Sequence, residues 1–172
     1  MIKIVGAIII LLASSVLGFL YSREVEKKLS ALYEIQRILL MLKGEITYHK
    51  APAAEAFCEI SRHVKEPFCS FFHNTGAELD KGVGKTIECV WQENCDLWLK
   101  ELVIAGEDRK SFREFGGCMG YLDVQMQVSS IGLYSEKLDI RIKESERSIR
   151  EKQKILKYMG IMGGIFLILL MV

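Results

Sequence analysis

Proline is scarce in this sequence, with 2 residues among 172, and no stretch alternates apolar and polar residues over the length of a strand. Proline interrupts helices, and a period of two is the main signature of a half-buried strand. The lack of both features favours an all-α fold. The middle of the chain, about 135 residues long, is large enough for one hydrophobic core.

The sequence also lacks a strong excess of either charge, with a formal net charge of +1. This balance excludes electrostatic capture of nucleic acid as the main activity. Its five cysteines are odd in number and have no disulfide-framework spacing, as is typical of reduced thiols in a reducing compartment. They are Cys58, Cys69, Cys89, Cys95 and Cys118.

Charge is absent altogether from the two ends, Ile4–Tyr21 and Tyr158–Val172. The first segment meets the minimum of about 17 residues for a membrane helix, whereas the second is short unless Lys157 extends along it to the interface. We therefore predict transmembrane helices over 1–22 and 158–172. A cleaved signal peptide, cut near Ala13-Ser14-Ser15, is the alternative for the first segment.

The basic residues beside these segments indicate the topology. Arg23, Lys27 and Lys28 follow the first segment, and seven Lys or Arg residues between 141 and 157 precede the second. Because basic residues accumulate on the cytoplasmic side, residues 23–157 are predicted to be cytoplasmic, with both termini outside the cell membrane. Ser14 with Gly18 and Gly160 with Gly164 form small-xxx-small pairs, which are candidates for membrane helix packing.

Apolar periodicity divides the middle domain into helices. A helix is predicted from Val25 to about Tyr48, a second opening at Pro52, a third over Phe68–Leu79 and a fourth capped by Thr86. Val90, Trp91, Leu97 and Trp98 are the apolar residues of the fourth helix.

Two further helices complete the domain. Ser111 and Glu114 have the spacing of a capping box, so a helix is predicted to begin there. Gly116, Gly117 and Gly120 are expected to kink or bend it. A long last helix is predicted to run from about Tyr121 into the second apolar segment. Its expected inner face is Leu122, Met126, Tyr134, Leu138, Ile142 and Ile149.

No set of residues indicates catalysis or cofactor binding. The stretch from Gly82 to Thr86 resembles the end of a phosphate-binding loop, but Leu79 stands where that motif requires glycine. His49, His63 and His73 have no metal-ligand spacing with each other or with the cysteines. We therefore expect no catalytic residue, no metal, no cofactor and no small-molecule substrate.

Several short motifs together resemble the stage III sporulation protein AB family of endospore-forming bacteria. Each motif is only mildly specific, but their order and spacing extend over the whole chain. The motifs are Leu12–Tyr21 with its arginine-containing flank, Glu45-Ile46-Thr47-Tyr48 before Pro52, Phe115-Gly116, Gly120-Tyr121-Leu122-Asp123 with Gln127, and Leu156-Lys157-Tyr158-Met159-Gly160.

This resemblance implies a non-enzymatic platform or scaffold subunit of the secretion-like channel complex between mother cell and forespore, required for spore development after engulfment. It implies a six-helix cytoplasmic bundle similar to the F-type platform proteins of type II secretion, located at the mother-cell membrane around the forespore. The other channel subunits, including a secretion-type ATPase, are the implied partners. Candidate partner contacts are Glu45, Tyr48, Gly120, Asp123 and Gln127, although each is also explained as a helix cap or surface residue.

Two other functions are consistent with parts of the sequence. One is a membrane-tethered signalling or structural protein that forms a coiled-coil dimer through Leu122–Leu156. The other is a nucleotide-dependent enzyme with its site at Lys85. The first would require a dimeric chain, and the second would require nucleotide binding that Lys85→Ala abolishes.

Overall fold

The computed structural model describes the backbone of residues 25–171 except 83, 101, 121 and 122, and the side chains of this part up to residue 155 except residue 153. Within these residues the fold is all-α, with six helices and no strand, as predicted. The helices are α1 (25–44), which continues as a π-helical turn over Glu45–His49, α2 (Ala53–Ser61), α3 (Phe68–Asp80), α4 (Ile87–Trp98), α5 (Gly106–Cys118) and α6 (Val124–Met171).

Successive helices pack side by side and run in alternating directions, because the connections between them are short. The last helix also packs against the first. Tyr33 on α1 donates a 2.5 Å hydrogen bond to Glu146 on α6, and Gln36 bonds to Asp139, so α1 and α6 are antiparallel. The two helices in which the described chain begins and finishes are therefore neighbours.

This topology gives the bundle two different ends. The α1–α2, α3–α4 and α5–α6 connections lie at one end, which we call the turn end. At the opposite end, the exit end, lie the described start of α1, the α2–α3 and α4–α5 connections, and the part of α6 near residue 152 that pairs with the start of α1. Beyond that point α6 continues as an unbroken helix to Met171.

The core is built around Trp91 of α4, which is fully buried. Its ring contacts phenylalanines from α2, α3 and α5, and its indole N–H donates a 3.0 Å hydrogen bond to the carbonyl of Phe112. The bond satisfies the only polar atom of this side chain, so the whole indole can be buried without an unpaired donor. The surrounding rings are Phe57, Phe71, Phe72, Phe112 and Phe115.

Most of the predicted inner faces are confirmed. On α1 the apolar residues at steps of three and four are buried, and Phe57, Ile60, Phe68, Phe71 and Phe72 are buried on α2 and α3. The predicted start of α2 was one residue early, since Pro52 precedes the helix as its N-cap. The buried residues of α1 and its π turn include Leu32, Ile35, Ile38, Leu39, Leu42 and Ile46.

The capping box predicted at Ser111 and Glu114 is wrong. Helix α5 begins five residues earlier, at Gly106, with Ala105 as its N-cap. Ser111 therefore lies inside the helix, where its hydroxyl accepts a 2.7 Å hydrogen bond from Lys137 of α6. Serine and glutamate three residues apart are also common within a helix, on its exposed face. The spacing therefore did not show where α5 begins.

No kink occurs at Gly116, since α5 is helical through Cys118, and the predicted bend lies just after the helix, in the turn that contains Gly120. A Cβ atom added at Gly116 would stand 2.2 Å from Cγ of Trp91, which is far inside any allowed contact. The missing side chain lets α5 approach α4 closely. This glycine is explained by helix packing rather than by a bend.

Three apolar residues assigned to helices α4 and α6 are on the surface. Leu97 is 70% exposed, Trp98 is 42% exposed and Met126, predicted to face inward, is 51% exposed. Tyr134, Leu138 and Ile142 of the predicted α6 face are buried as expected, and Ile131 joins them.

Candidate functional site

The π-helical turn at the end of α1 presents Tyr48 to solvent. Ile46 is buried and anchors the turn, whereas Tyr48 is 83% exposed. Lys50 then adopts a left-handed conformation with φ 50° and returns its N–H to the carbonyl of Glu45, which ends the helix. Pro52 follows in an extended conformation and starts the connection to α2. The sequence therefore fixes an aromatic side chain at an exposed corner.

Glu45 and His49 form a pair on the same turn. The His49 Nδ1 atom lies 2.8 Å from a carboxylate oxygen of Glu45, and this hydrogen bond and charge raise the pKa of the imidazole. Together with Lys50, Glu55 and Glu59 they line a shallow depression of about 340 Å³. Glutamates outnumber the lysine here, so this corner of the turn end favours a basic partner surface.

The other predicted motif builds the connection between α5 and α6. The Asp123 carboxylate accepts a 3.1 Å hydrogen bond from the backbone N–H of Gln125, which confirms its role as a helix cap. The Gln127 side-chain amide donates a 3.1 Å bond to the carbonyl of Met119 at the end of α5. Met119 is buried, so Gln127 ties the connection to the core. Gly120 lies within this turn.

The two motifs lie at the same end of the molecule. The π turn contacts α6, and the antiparallel pairing of α1 with α6 brings Glu45 and Tyr48 to the turn end together with Asp123 and Gln127. These groups are more than 70 positions apart in the sequence, so the bundle topology brings them to one end. That all five residues contact a partner stays a prediction.

The sequence did not point to two apolar residues at this end. Val124 is 45% exposed and Met126 is 51% exposed on the first turn of α6. Exposed aliphatic and aromatic side chains at one end of a domain are typical of protein contact surfaces. The signal available in the sequence was ambiguous, because α6 has apolar residues on more than one face.

The segment that resembles a phosphate-binding loop is a turn and a helix cap. Helix α3 precedes it, where the phosphate-binding motif needs a strand. The hydroxyl of Thr86 accepts a 3.3 Å hydrogen bond from the N–H of Cys89, as predicted for a cap. Lys85 reaches Glu93 at 2.5 Å. The lysine is therefore held against α4 by its ion pair with Glu93.

The cysteines and histidines of the described residues can be checked for metal-ligand clusters and for thiol ionisation. No group of three potential metal ligands occurs there. All five cysteines are free thiols; burial raises the pKa of Cys95 to about 12, and a hydrogen bond to Glu93 raises the pKa of the exposed Cys89. Raised pKa values keep both in the unreactive thiol form.

The membrane predictions fall mainly on residues that the structure does not describe. Ser14 and Gly18 lie outside the described residues. Gly160 and Gly164 lie on the backbone of α6, in a part whose side-chain surroundings are not described. Among the residues that could be assessed, no helix combines the length and the hydropathy of a membrane span.

The fold and the turn end together define a class of protein, a single helical bundle whose last helix continues well past the other five. The chain belongs to the Stage III sporulation protein AB family, which it matches over residues 3–172. The resemblance inferred from the motifs is therefore confirmed, and with it a sporulation-associated role. This is not a known enzyme family.

Two relatives support the assignment. The chain is 24% identical over 171 residues to Stage III sporulation protein AB of Bacillus subtilis (strain 168), and the match covers 99% of each chain. A solved structure of Stage III sporulation protein AB has a TM-score of 0.65 and 20% sequence identity, covering 72% of this chain and 97% of that chain. The latter likeness establishes the fold.

Proposed function

We propose that this chain is a non-enzymatic platform subunit of the sporulation channel complex, held in the mother-cell membrane at both of its ends. The observation that supports this most directly is the antiparallel pairing of α1 and α6 through Tyr33–Glu146 and Gln36–Asp139. The described start of α1 lies at the exit end, and α6 extends beyond the bundle there. A domain anchored in one membrane through its first and last helices needs this arrangement.

The length of α6 is consistent with an anchor. From residue 155 to Met171 the helix continues for about 17 residues, or about 25 Å at 1.5 Å per residue. The hydrocarbon core is about 30 Å thick, so the segment is close to the minimum for a span. Its sequence is free of charge from Tyr158 onward. The proposed boundaries remain 1–22, 23–157 and 158–172.

The turn end is the proposed contact for cytosolic partners. It lies at the opposite end of the bundle from the proposed membrane, and it has exposed Tyr48, Val124 and Met126 as well as the acidic depression around Glu55 and Glu59. Apolar anchors with a charged rim are the usual composition of a protein interface. We propose that the secretion-type ATPase of the channel complex binds here.

A photo-crosslinking experiment tests this proposal. A photoreactive amino acid is placed at position 48 of the full chain in sporulating cells, with the same residue at exposed position 73 on α3 as the matched control. We expect covalent capture of the ATPase from position 48 and at least several-fold less from position 73. Equal capture from the two positions, or capture from neither, contradicts the proposed contact.

One observation favours the coiled-coil alternative. Met126, Leu133 and Ile140 are all exposed and follow each other at intervals of seven residues on α6, which is heptad spacing. The inner face of α6 is already buried in the bundle, so dimerisation would have to use this outer stripe. Against it, the second core position of each heptad, three residues further on, is occupied by Ser129, Glu136 and Lys143, where a coiled coil requires apolar residues. A monomeric full chain in detergent would exclude the alternative.

A further inference from the structure

A groove of about 570 Å³ lies at the exit end, between α1 and the α2–α3 connection. We call it the exit-end groove. Its lining combines three cationic residues and two glutamates with an apolar floor, and Phe68, which contributes to the floor, is buried in the core. The residues that the argument uses are Lys27, Arg37, Lys65, Pro67, Phe68 and Leu102.

The arginine of this groove is already engaged. Arg37 lies 2.6 Å from the carboxylate of Glu34 and donates a 2.9 Å hydrogen bond to the carbonyl of His63, so it joins α1 to the end of α2. It therefore holds the groove in shape. The carboxylate of Glu66 accepts a 2.8 Å hydrogen bond from the hydroxyl of Ser70.

The two lysines have no such engagement. Lys27 and Lys65 line the groove from opposite sides, both are exposed, and neither forms an ion pair with a described residue. The carboxylates of Glu34 and Glu66 also line the groove, but they are bonded to Arg37 and Ser70 and pair with neither lysine, so an added anion would reduce the repulsion between the two ammonium groups. A phosphate group supplies such an anion and offers oxygen acceptors to both.

The position of the groove identifies the source of the phosphate. This step rests on the proposed function, in which the membrane begins near residue 22. The five residues from there to Lys27 span about 8 Å as a helix and about 18 Å when extended. The polar headgroup layer is about 5–8 Å thick on each side of the hydrocarbon. Lys27 is thus placed at or just above the level of lipid phosphates.

We infer that the exit-end groove binds the headgroup of an anionic phospholipid of the membrane in which the chain is anchored. Lys27 and Lys65 contact the phosphate, and Pro67 and Leu102 provide apolar surface for the glycerol region. Such a lipid fixes the height and tilt of the bundle above the membrane. It does so independently of any partner at the turn end.

The test uses the full chain purified in detergent and exchanged into micelles containing phosphatidylglycerol or phosphatidylcholine. We compare the wild type, the double variant Lys27→Gln/Lys65→Gln, and the control Lys43→Gln/Lys81→Gln. The control removes the same charge from exposed lysines toward the other end of the bundle. The readouts are phosphatidylglycerol retained per chain after washing and the rise in the unfolding midpoint that phosphatidylglycerol produces.

We expect a preference for phosphatidylglycerol that the groove variant loses and the control keeps. A basic side chain near an anionic leaflet contributes about 1 kcal/mol, which corresponds to about 5-fold in binding, so the double variant should lose about 25-fold. Equal retention by the wild type and the groove variant overturns the inference. A stabilisation by inorganic phosphate as large as that by the lipid overturns the membrane source and leaves a soluble phosphate ligand.

Failure of this inference is distinguishable from failure of the proposed function. Cell fractionation in parallel shows whether the wild-type chain is in the membrane fraction. If it is there and lipid preference is absent, only the groove site is wrong. If it is absent from the membrane fraction, the double anchoring and the lipid site are both wrong.

Discussion

Replacing Gly116 with alanine tests the central contact of the bundle. The added Cβ atom would lie 2.2 Å from Cγ and 2.3 Å from Cδ1 of Trp91. Because the indole is enclosed by five phenylalanine rings and bonded to Phe112, it cannot move aside without repacking the core. Either α5 separates from α4 by about 1 Å or more or Trp91 shifts, and both movements stretch the bond between Trp91 and Phe112, which is on α5.

The expected cost follows from three terms. Overpacking costs about 1–3 kcal/mol, and loss of the hydrogen bond to Phe112 adds about 0.5–1.5 kcal/mol. Alanine regains up to about 1 kcal/mol through helix propensity. We expect a net loss of about 2–3 kcal/mol, equivalent to a fall of about 5–10 °C in the unfolding midpoint.

The assay is thermal and urea unfolding of the full chain in detergent, followed by helical circular dichroism and by tryptophan fluorescence, to which buried Trp91 and exposed Trp98 both contribute. Gly132→Ala on α6 is the matched control, because an added Cβ meets nothing within 4 Å there. This control should gain up to about 1 kcal/mol. A Gly116→Ala protein as stable as the wild type would refute the close packing of α4 on α5.

Three other substitutions have defined expectations. Asp123→Ala removes the cap of α6 and should cost about 1 kcal/mol in urea unfolding, whereas Asp123→Asn, which keeps an acceptor, should cost less. Tyr134→Phe should be neutral or stabilising by about 1 kcal/mol, because the buried hydroxyl has no hydrogen-bond partner among the described groups; a large loss would reveal one. His49 has a pKa raised above 6.5 by Glu45, so its stabilisation is complete below pH 6.5 and is lost as the pH rises through the folded-state value. The wild-type unfolding midpoint should therefore fall more between about pH 6 and pH 8 than that of His49→Gln, and identical profiles would contradict the pairing with Glu45.

Sequence patterns were sufficient where local physics decides the structure. The stripe of apolar residues on α1, the phenylalanines of α3 and the cap at Thr86 follow from helical period and backbone chemistry. The α1 boundary near Tyr48 was also predictable, because Pro52 cannot continue a helix.

Patterns failed where the neighbouring helix decides. In the sequence, a glycine that bends a helix cannot be distinguished from one that lets two helices pack closely. Only the position of Trp91 shows that Gly116 permits the close approach of α5 to α4. Leu97 and Trp98 were predicted as apolar residues of α4, and the sequence does not show which residues of that helix face solvent. In the structure Val90 and Trp91 are buried, whereas Leu97 and Trp98 are exposed. Hydrophobicity does not specify which of two apolar faces is covered.

In the candidate site, too, local sequence predicts individual residues but not their arrangement in space. The residues Glu45, Tyr48, Asp123 and Gln127 could be singled out from the sequence, and the cap role of Asp123 was one of the two alternatives considered. Their gathering at one end required the antiparallel pairing of α1 and α6, which no short motif encodes. Val124 and Met126 were missed for that reason.

Helix α6 has no interruption between Val124 and Met171. Each residue of a helix turns it by about 100°, so the direction in which its last turns face is set by the number of residues that separate them from Asp123. One residue inserted after Arg150 would rotate Gly160 and Gly164 by more than a quarter of a circle and displace them by about 1.5 Å, while the contacts of α6 before the insertion, such as Tyr33–Glu146, stay in place. The number of residues in α6 therefore sets the rotation of its last turns relative to the turn end of the bundle.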